Sequence, residues 1–338
     1  MNLNKLFFLF CVLIIGCEKQ FDKAFENTPE KNFEIFWKEF DRHYSYFDYK
    51  NVNWDSLYYV YKPMINSNIN DNELLNILDD MTYHLRDAHV TIFSPMGNRS
   101  YNYHEHRLSP TSNWIDVSTV EAYCENLFNI NKTIYYGKIQ NKNIGYIYIS
   151  HFTGEYDDYL QIDNIMKNLR DTKGIIVDVR MNYGGTDTFG KIIASRFADE
   201  KRLYRKLRYR NGSKHNDFTN WIDDYITPVN ITYLNPVVVL INEYCFSSGE
   251  DFILAMKIFP HVTTMGDTTG GGSGNPIRRE LPNGWTFRLS TWQAVDAEMN
   301  NIENKGIYPD IPKWLTKEEF DTKIDKILET AIEQIDNE

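Results

Sequence analysis

Apolar side chains recur at helical spacing through the first third of the chain. In "TPEKNFEIFWKEFDRHYSYF" the repeating positions are Phe33, Phe36, Trp37, Phe40, Tyr44 and Phe47. Thr28 stands where a helix N-cap belongs and Pro29 at the first helical position. "NWDSLYYVYKPMI" continues the pattern with Trp54, Leu57, Tyr58 and Tyr61, and "DNELLNILDDMTYHLRDAHV" with Leu74, Ile77, Leu78, Met81 and Leu85. Three short amphipathic helices in a row predict a small helical subdomain, whose aromatic stripes read as core. Between Ser94 and Asn131 the pattern weakens into a loop-like stretch rich in Gly, Pro, Ser and Asn.

From there the period changes. "TIYYGKIQ" and "NIGYIYIS" predict strands, "YLQIDNIMKNLRD" a helix, and "GIIVDVR" a short buried strand. "TDTFGKIIASRFAD" predicts a helix, "KRLYRKLRYR" an alternating strand, "PVVVLIN" another buried strand, and "SGEDFILAMKIF" another helix. "VTTMGD" and "WTFRLSTWQAV" follow as strands. "TKEEFDTKIDKILETAIEQI" predicts one long C-terminal helix opened by a Thr316/Glu319 capping box. Strand and helix in alternation, with continuous apolar strands, predict an α/β fold with parallel pairing and helices on the sheet faces. Ligands bind such sheets beyond the carboxyl ends of their strands. Two polar, glycine-bearing segments lie there: "MNYGGTD" after "GIIVDVR", and "EYCFSSGED" after "PVVVLI".

The amino terminus changes the picture again. "MNLNKLFFLFCVLIIGC" pairs Lys5 with an apolar run from Leu6 to Ile15, too short to span a bilayer and suited to a signal sequence. Its end, "LIIGC", resembles a bacterial lipobox. That resemblance implies cleavage after Gly16, lipid attachment at Cys17, and a place in the cell envelope, anchored to a membrane on its periplasmic face or outer surface. The expected divisions are signal 1–16, tether 17–28, helical subdomain 29–94, connecting segment 95–140 and core 141–338. The formal net charge of -11 argues against a nucleic-acid partner. Of the remaining cysteines, Cys124 and Cys245 suit a disulfide in that compartment, but two buried thiols is the simpler reading. No zinc spacing occurs, and His104 and His106 lack a third ligand, so neither metal nor cofactor is expected.

A serine at a strand-to-helix turn is exposed at the sheet edge beside free helix N–H groups, so Ser247 and Ser248 are both candidate nucleophiles, or simply helix caps. The run of glycines in "GDTTGGGSGNP" frees the backbone for close approach, and lacks the Lys-Ser/Thr ending of a phosphate loop. Taken in order, "HLRDAHVTIF", "NIGYIYISHF", "GIIVDVRMNYGG", "PVVVLINEYCFSSGED", "GDTTGGG" and "NIENKGIYPDI" resemble the tail-specific (C-terminal-processing) serine peptidase family. The resemblance implies a ClpP/crotonase-like core. It places the nucleophile three residues before Glu250, at Ser247, with the Ser248 backbone N–H in the oxyanion hole. The second donor comes from the Asn182–Gly185 turn, at Gly185, with Gly184 as the alternative.

Many members use a Ser/Lys dyad, but Gly272 stands where that lysine would be. The chain is thereby similar to the tricorn-core-like branch, which implies His89 in "RDAHV" as general base and Glu303 in "IENKGIYPD" as the group that orients it. His151 is the rival base. No PDZ domain is evident, so substrate choice falls to the crevice and the helical subdomain. The implied activity is a serine peptidase acting on peptides or proteins, in an oligomeric state the sequence leaves open. The alternatives are a non-catalytic peptide-binding lipoprotein on the same fold, and a crotonase-type acyl-CoA enzyme, against which the lipobox argues.

Overall fold

The computed structural model describes residues 26–102, 117–322 and 324–337. Helix α1 (Pro29–His43) opens on Thr28, whose hydroxyl accepts the Lys31 N–H, and is followed by α2 (Trp54–Tyr61) and α3 (Asp71–Tyr83). Their apolar faces, including Phe36, Phe40, Trp54 and Leu78, form one core together with Trp285, Phe287 and Leu289. The last three come from the far end of the chain. Phe287 and Leu289, just after Trp285, belong to a four-stranded antiparallel sheet in the order β11-β12-β1-β2, built from β1 (Thr91–Ser94), β2 (Gly97–Ser100), β11 (Pro276–Glu280) and β12 (Thr286–Ser290). The helices therefore close over strands that the sequence alone does not associate with them.

The central sheet has seven strands in the order β14-β10-β9-β6-β5-β4-β3. β5 (Ile144–Ile149), β6 (Gly174–Asp178), β9 (Val237–Ile241) and β10 (Val262–Gly266) run parallel, as the continuous apolar runs predict. β4 (Ile134–Ile139) and β3 (Cys124–Asn129) add an antiparallel edge, and the short β14 (Ile311–Pro312) pairs with β10. The two-residue period of a strand sorts its side chains between the two faces. Ile175, Val177, Val237, Val239 and Ile241 enter the core shared with helices α6 (Ile162–Leu169), α7 (Asp187–Ala194) and α8 (Ser248–Lys257). Ile176, Val238 and Leu240 face the other way, onto Ile327, Leu328, Ala331 and Ile335 of the C-terminal helix.

That last segment departs from the single long helix read from the sequence. The Thr316/Glu319 capping box forms, but the chain breaks into α9 (Lys317–Asp321) and α10 (Lys326–Asn337). Asp325 lies at the break, capping α10 through the Leu328 N–H while both its oxygens accept from Arg180 at 3.0 and 2.7 Å. Arg180 is wholly buried and also binds Asp178. A buried guanidinium needs carboxylate partners, and that requirement overrides helix continuity here. "WTFRLSTWQAV" likewise divides, into β12 and β13 (Trp292–Asp296), which join different sheets. β13 pairs with β7 (Arg202–Tyr209), which pairs in turn with β8 (Ile222–Ile226).

Cys124 and Cys245 are both free and buried, in separate cores. The signal sequence with Cys17, and His104 with His106, lie outside the described residues. Among those residues no helix is long and apolar enough to cross a membrane.

Candidate active site

The polar turns that follow β6 and β9 meet, as expected from the parallel order. The Phe246 N–H donates to the Asn182 carbonyl at 3.0 Å, and Gly249 packs so closely on that carbonyl that a Cβ there would lie 2.5 Å from it. Ser247 lies between β9 and α8 with φ 57° and ψ -124°. A non-glycine residue in that region costs on the order of 1–3 kcal/mol and persists only where its surroundings enforce it. Here they do. Glu250, fully buried one turn into α8, accepts the Ser247 N–H at 3.2 Å, the Thr269 hydroxyl at 2.5 Å, and the Gly271 and Gly272 N–H groups at 2.8 and 2.7 Å. One carboxylate thus ties the serine turn to the glycine-rich loop.

The two serines differ in what their side chains do. The Ser248 hydroxyl donates within a closed set, 2.8 Å from the Gly185 carbonyl and 2.5 Å from Asp187 Oδ1. The two glycines of the "NYGG" turn differ as well. The Gly184 N–H is taken by the Asn182 side chain at 2.9 Å. At Gly185 the flanking bonds, Phe152 N–H to Gly184 and Thr186 N–H to Phe152, leave its own N–H facing away from Phe152. A Cβ at Gly185 would lie 2.1 Å from the Phe152 carbonyl, and φ is 139°, so only glycine serves there.

Gly272, where a dyad lysine would stand, has no room for a side chain: its Cβ would lie 2.1 Å from the Phe246 ring. That ring in turn packs on the His89 imidazole, with centroids 4.7 Å apart. Phe246 thus fills the place of one base and supports the other. His89 is buried, and neither ring nitrogen has a hydrogen-bond partner among the described residues. Burial holds the imidazole down at about 4; Asp87 opposes the shift, and Arg288 and Lys50 add to it. His151 stacks on Tyr183 at 5.6 Å instead.

Glu303 is buried, but its oxygens are occupied differently from the arrangement the resemblance implies. Oε1 accepts from Lys50 Nζ at 2.6 Å, and Oε2 from the Ser273 N–H at 2.9 Å. A buried ammonium makes a stronger charge-assisted bond than a neutral imidazole N–H, so the lysine takes the carboxylate. Burial pushes the Glu303 carboxyl up to about 7, against the pull of Lys50 and with a further push from Asp87. Asp87 is also buried. Its Oδ1 accepts the His89 backbone N–H at 2.9 Å, and its Oδ2 accepts the Tyr44 and Ser290 hydroxyls, each at 2.9 Å. Although burial raises it, Lys50 and His89 together with these bonds hold this carboxyl below its ordinary range.

Sequence reading picked out neither Lys50, Asp87 nor Ser273. Asp87 sits two residues before His89, a visible signal, whereas Lys50 and Ser273 reach the site only through tertiary packing.

A small cavity of about 80 Å³ is lined by Ser247 together with Gly185, Gly272, Trp292, Ala294 and Ile302, and also by the charged groups of Asp187, Arg205 and Asp251. Arg205 pairs with Asp187 at 2.9 Å, Asp224 at 3.0 Å and also Asp251. Burial pushes Asp251 up to about 8 against the pull of Arg205, with Asp187 and Asp224 adding to the rise. Among the described residues no cluster of three or more His, Cys, Asp or Glu side chains is arranged to hold a metal.

Comparison with known proteins identifies the family. Residues 143–313 match the profile of Peptidase family S41, and residues 25–82 match the Tricorn protease C1 domain. The carboxy-terminal processing protease CtpA of Bacillus subtilis is 28% identical over 178 residues, 52% of this chain and 36% of that protein. The tricorn protease of Thermoplasma volcanium is 29% identical over 200 residues, 58% of this chain and 18% of that one. The chain thus spans well under half the length of these curated relatives. A crystal structure of a Parabacteroides merdae protein superposes with a TM-score of 0.82 at 33% identity, covering 91% of this chain and 96% of that one. A structure of mature CPAF with lactacystin, at 13% identity and TM-score 0.70, shares the fold. On the profile match and on the likeness to the Parabacteroides merdae structure, the chain belongs to peptidase family S41.

Proposed function

We propose that this protein hydrolyses peptide bonds of peptides or proteins through an acyl-enzyme on Ser247. The observation that carries the reading is the Ser247 turn itself. A strained serine lines a small cavity, with the Ser248 N–H at the head of α8 and the Gly185 N–H, which faces away from Phe152, on the adjoining turn. Ser247 Oγ attacks the substrate carbonyl carbon while His89 takes the hydroxyl proton. The oxyanion that forms lies against the Ser248 and Gly185 N–H groups. When the intermediate collapses, the C–N bond breaks and His89 returns its proton to the leaving amine. Water then attacks the ester, His89 takes a water proton, and the acyl group leaves as a carboxylic acid. The proton returns to Ser247 Oγ.

Three features support His89 as the base. Its ring is held against Phe246, next to Ser247; burial keeps it neutral; and the space for a lysine at position 272 is filled. The occupied hydroxyl of Ser248 and the occupied N–H of Gly184 favour Ser247 and Gly185 over their neighbours. The small cavity suits a modest side chain next to the cleaved bond. The name of the Bacillus subtilis relative suggests processing near carboxyl termini as the biological setting. Lipid attachment at Cys17 would hold the enzyme at the cell envelope. Peptide hydrolysis by the purified protein tests the reading: Ser247→Ala should abolish turnover, and turnover that survives this substitution would refute it.

A further inference from the structure

The segment that leaves α1 crosses the whole site. Tyr44 donates to Asp87, Tyr46 shares a 2.7 Å hydrogen bond with Ser273, and Tyr49 donates to the Glu303 carbonyl at 3.1 Å. At its end Lys50, whose side chain is 2% exposed, donates to Glu303 Oε1 at 2.6 Å, Asn304 Oδ1 at 2.8 Å and the Arg86 carbonyl at 3.1 Å. Arg86 closes the loop by donating to the Lys50 carbonyl at 3.1 Å. Lys50 therefore stitches together the two segments that carry His89 and Glu303. A lysine buried so fully and given three acceptors is a built feature, because an ammonium in that setting is costly without them.

We propose that Lys50 is a positioning residue for hydrolysis: it favours the ionised form of Glu303 beside Asp87, against burial, so that negative charge stands near His89 when its imidazole becomes charged. This rests on the reading of Ser247 and His89 given above. The groups around Glu303 are Lys50, Asp87, Tyr44, Tyr46 and Ser273; those around His89 are Asp87, Arg288, Lys50 and Asp187. Among these groups, Lys50 is the cation bonded to Glu303. Without it, burial and Asp87 both act to protonate Glu303. Neutral Glu303 leaves the imidazolium with less compensating charge. The sign is then fixed: loss of Lys50 moves protonation of Glu303 to higher pH, and the acidic limb of the reaction moves with it.

The test is the rate at which a fluorophosphonate labels the full-length protein, measured across pH for wild type, Lys50→Met, Lys50→Arg and Glu303→Gln, and for the Lys50→Met/Glu303→Gln double variant. Lys50→Met is expected to shift the acidic limb upward by about one pH unit or more, with a rate near neutrality lowered about tenfold. Lys50→Arg, which keeps the cation, is expected to retain the wild-type limb, and it carries the test should Lys50→Met fail to fold. In the Glu303→Gln background, Lys50→Met should move the limb by less than it does in the wild-type background, because only its direct effect on His89 is left. An unmoved limb in folded Lys50→Met, a limb in Lys50→Arg shifted like that expected on loss of the charge, or an undiminished shift in the double variant would overturn the proposal. Failure of the underlying reading is distinct: wild-type labelling would then not depend on Ser247.

Discussion

At Ser247 and its neighbours, single atoms decide the chemistry. Ser247 and Ser248 are equivalent by type and position; what separates them is that the Ser248 hydroxyl is committed to Gly185 and Asp187. Gly272 shows the same economy. Its missing side chain makes room for Phe246, which supports His89. We expect Gly272→Ala to overpack this contact and cost about 1–3 kcal/mol in a denaturant titration, with a fall in Ser247 reactivity. His89→Ala should abolish peptide turnover, whereas His151→Ala, which loses only its stack on Tyr183, should retain most of it. The reverse result would move the base to His151. The position of Ser247 was legible in the sequence because a buried strand, a small-residue turn and a helix follow one another there. The lysine that binds Glu303 was not, since nothing local to "FDYKN" distinguishes a buried ammonium from a solvated one.

Elements were legible where their period was strong. The parallel strands β5, β6, β9 and β10 and the helices between them follow directly from continuous apolar runs and 3.6-residue stripes. The short strands β1, β2, β3 and β11 did not stand out. They are four to six residues long, and most of their positions are exposed or half-buried, so their pairing is fixed by neighbours distant in sequence. The C-terminal helix shows a tertiary demand overriding local pattern. Its break at Asp325 supplies the second carboxylate to Arg180. Asp325→Ala would leave that buried guanidinium with Asp178 alone and remove the cap on α10. Breaking a buried pair in this way typically costs about 3–5 kcal/mol, which urea unfolding would register as a lower midpoint. An unchanged midpoint would mean that the break has another cause.

Across the whole molecule, the helical region and the central sheet both contribute to the candidate site. Helices α1 to α3 bury their apolar faces against β12, and the segment after α1 reaches Asp87, Ser273 and Glu303. The amino-terminal part of the chain therefore contributes side chains to the candidate site as well as to its own helical core. The proposed lipid attachment at Cys17 has its own test at this scale. We expect the mature protein to partition into the detergent phase and Cys17→Ser to move it to the aqueous phase; detergent partitioning that survives the substitution would exclude Cys17 as the attachment point. The central claim is that Ser247 is the nucleophile. It is tested most directly by mapping the fluorophosphonate adduct on the intact protein by peptide mass analysis. The account predicts a single adduct on Ser247, present in Ser248→Ala and absent in Ser247→Ala and His89→Ala. An adduct on Ser248, or one that persists in Ser247→Ala, would contradict it.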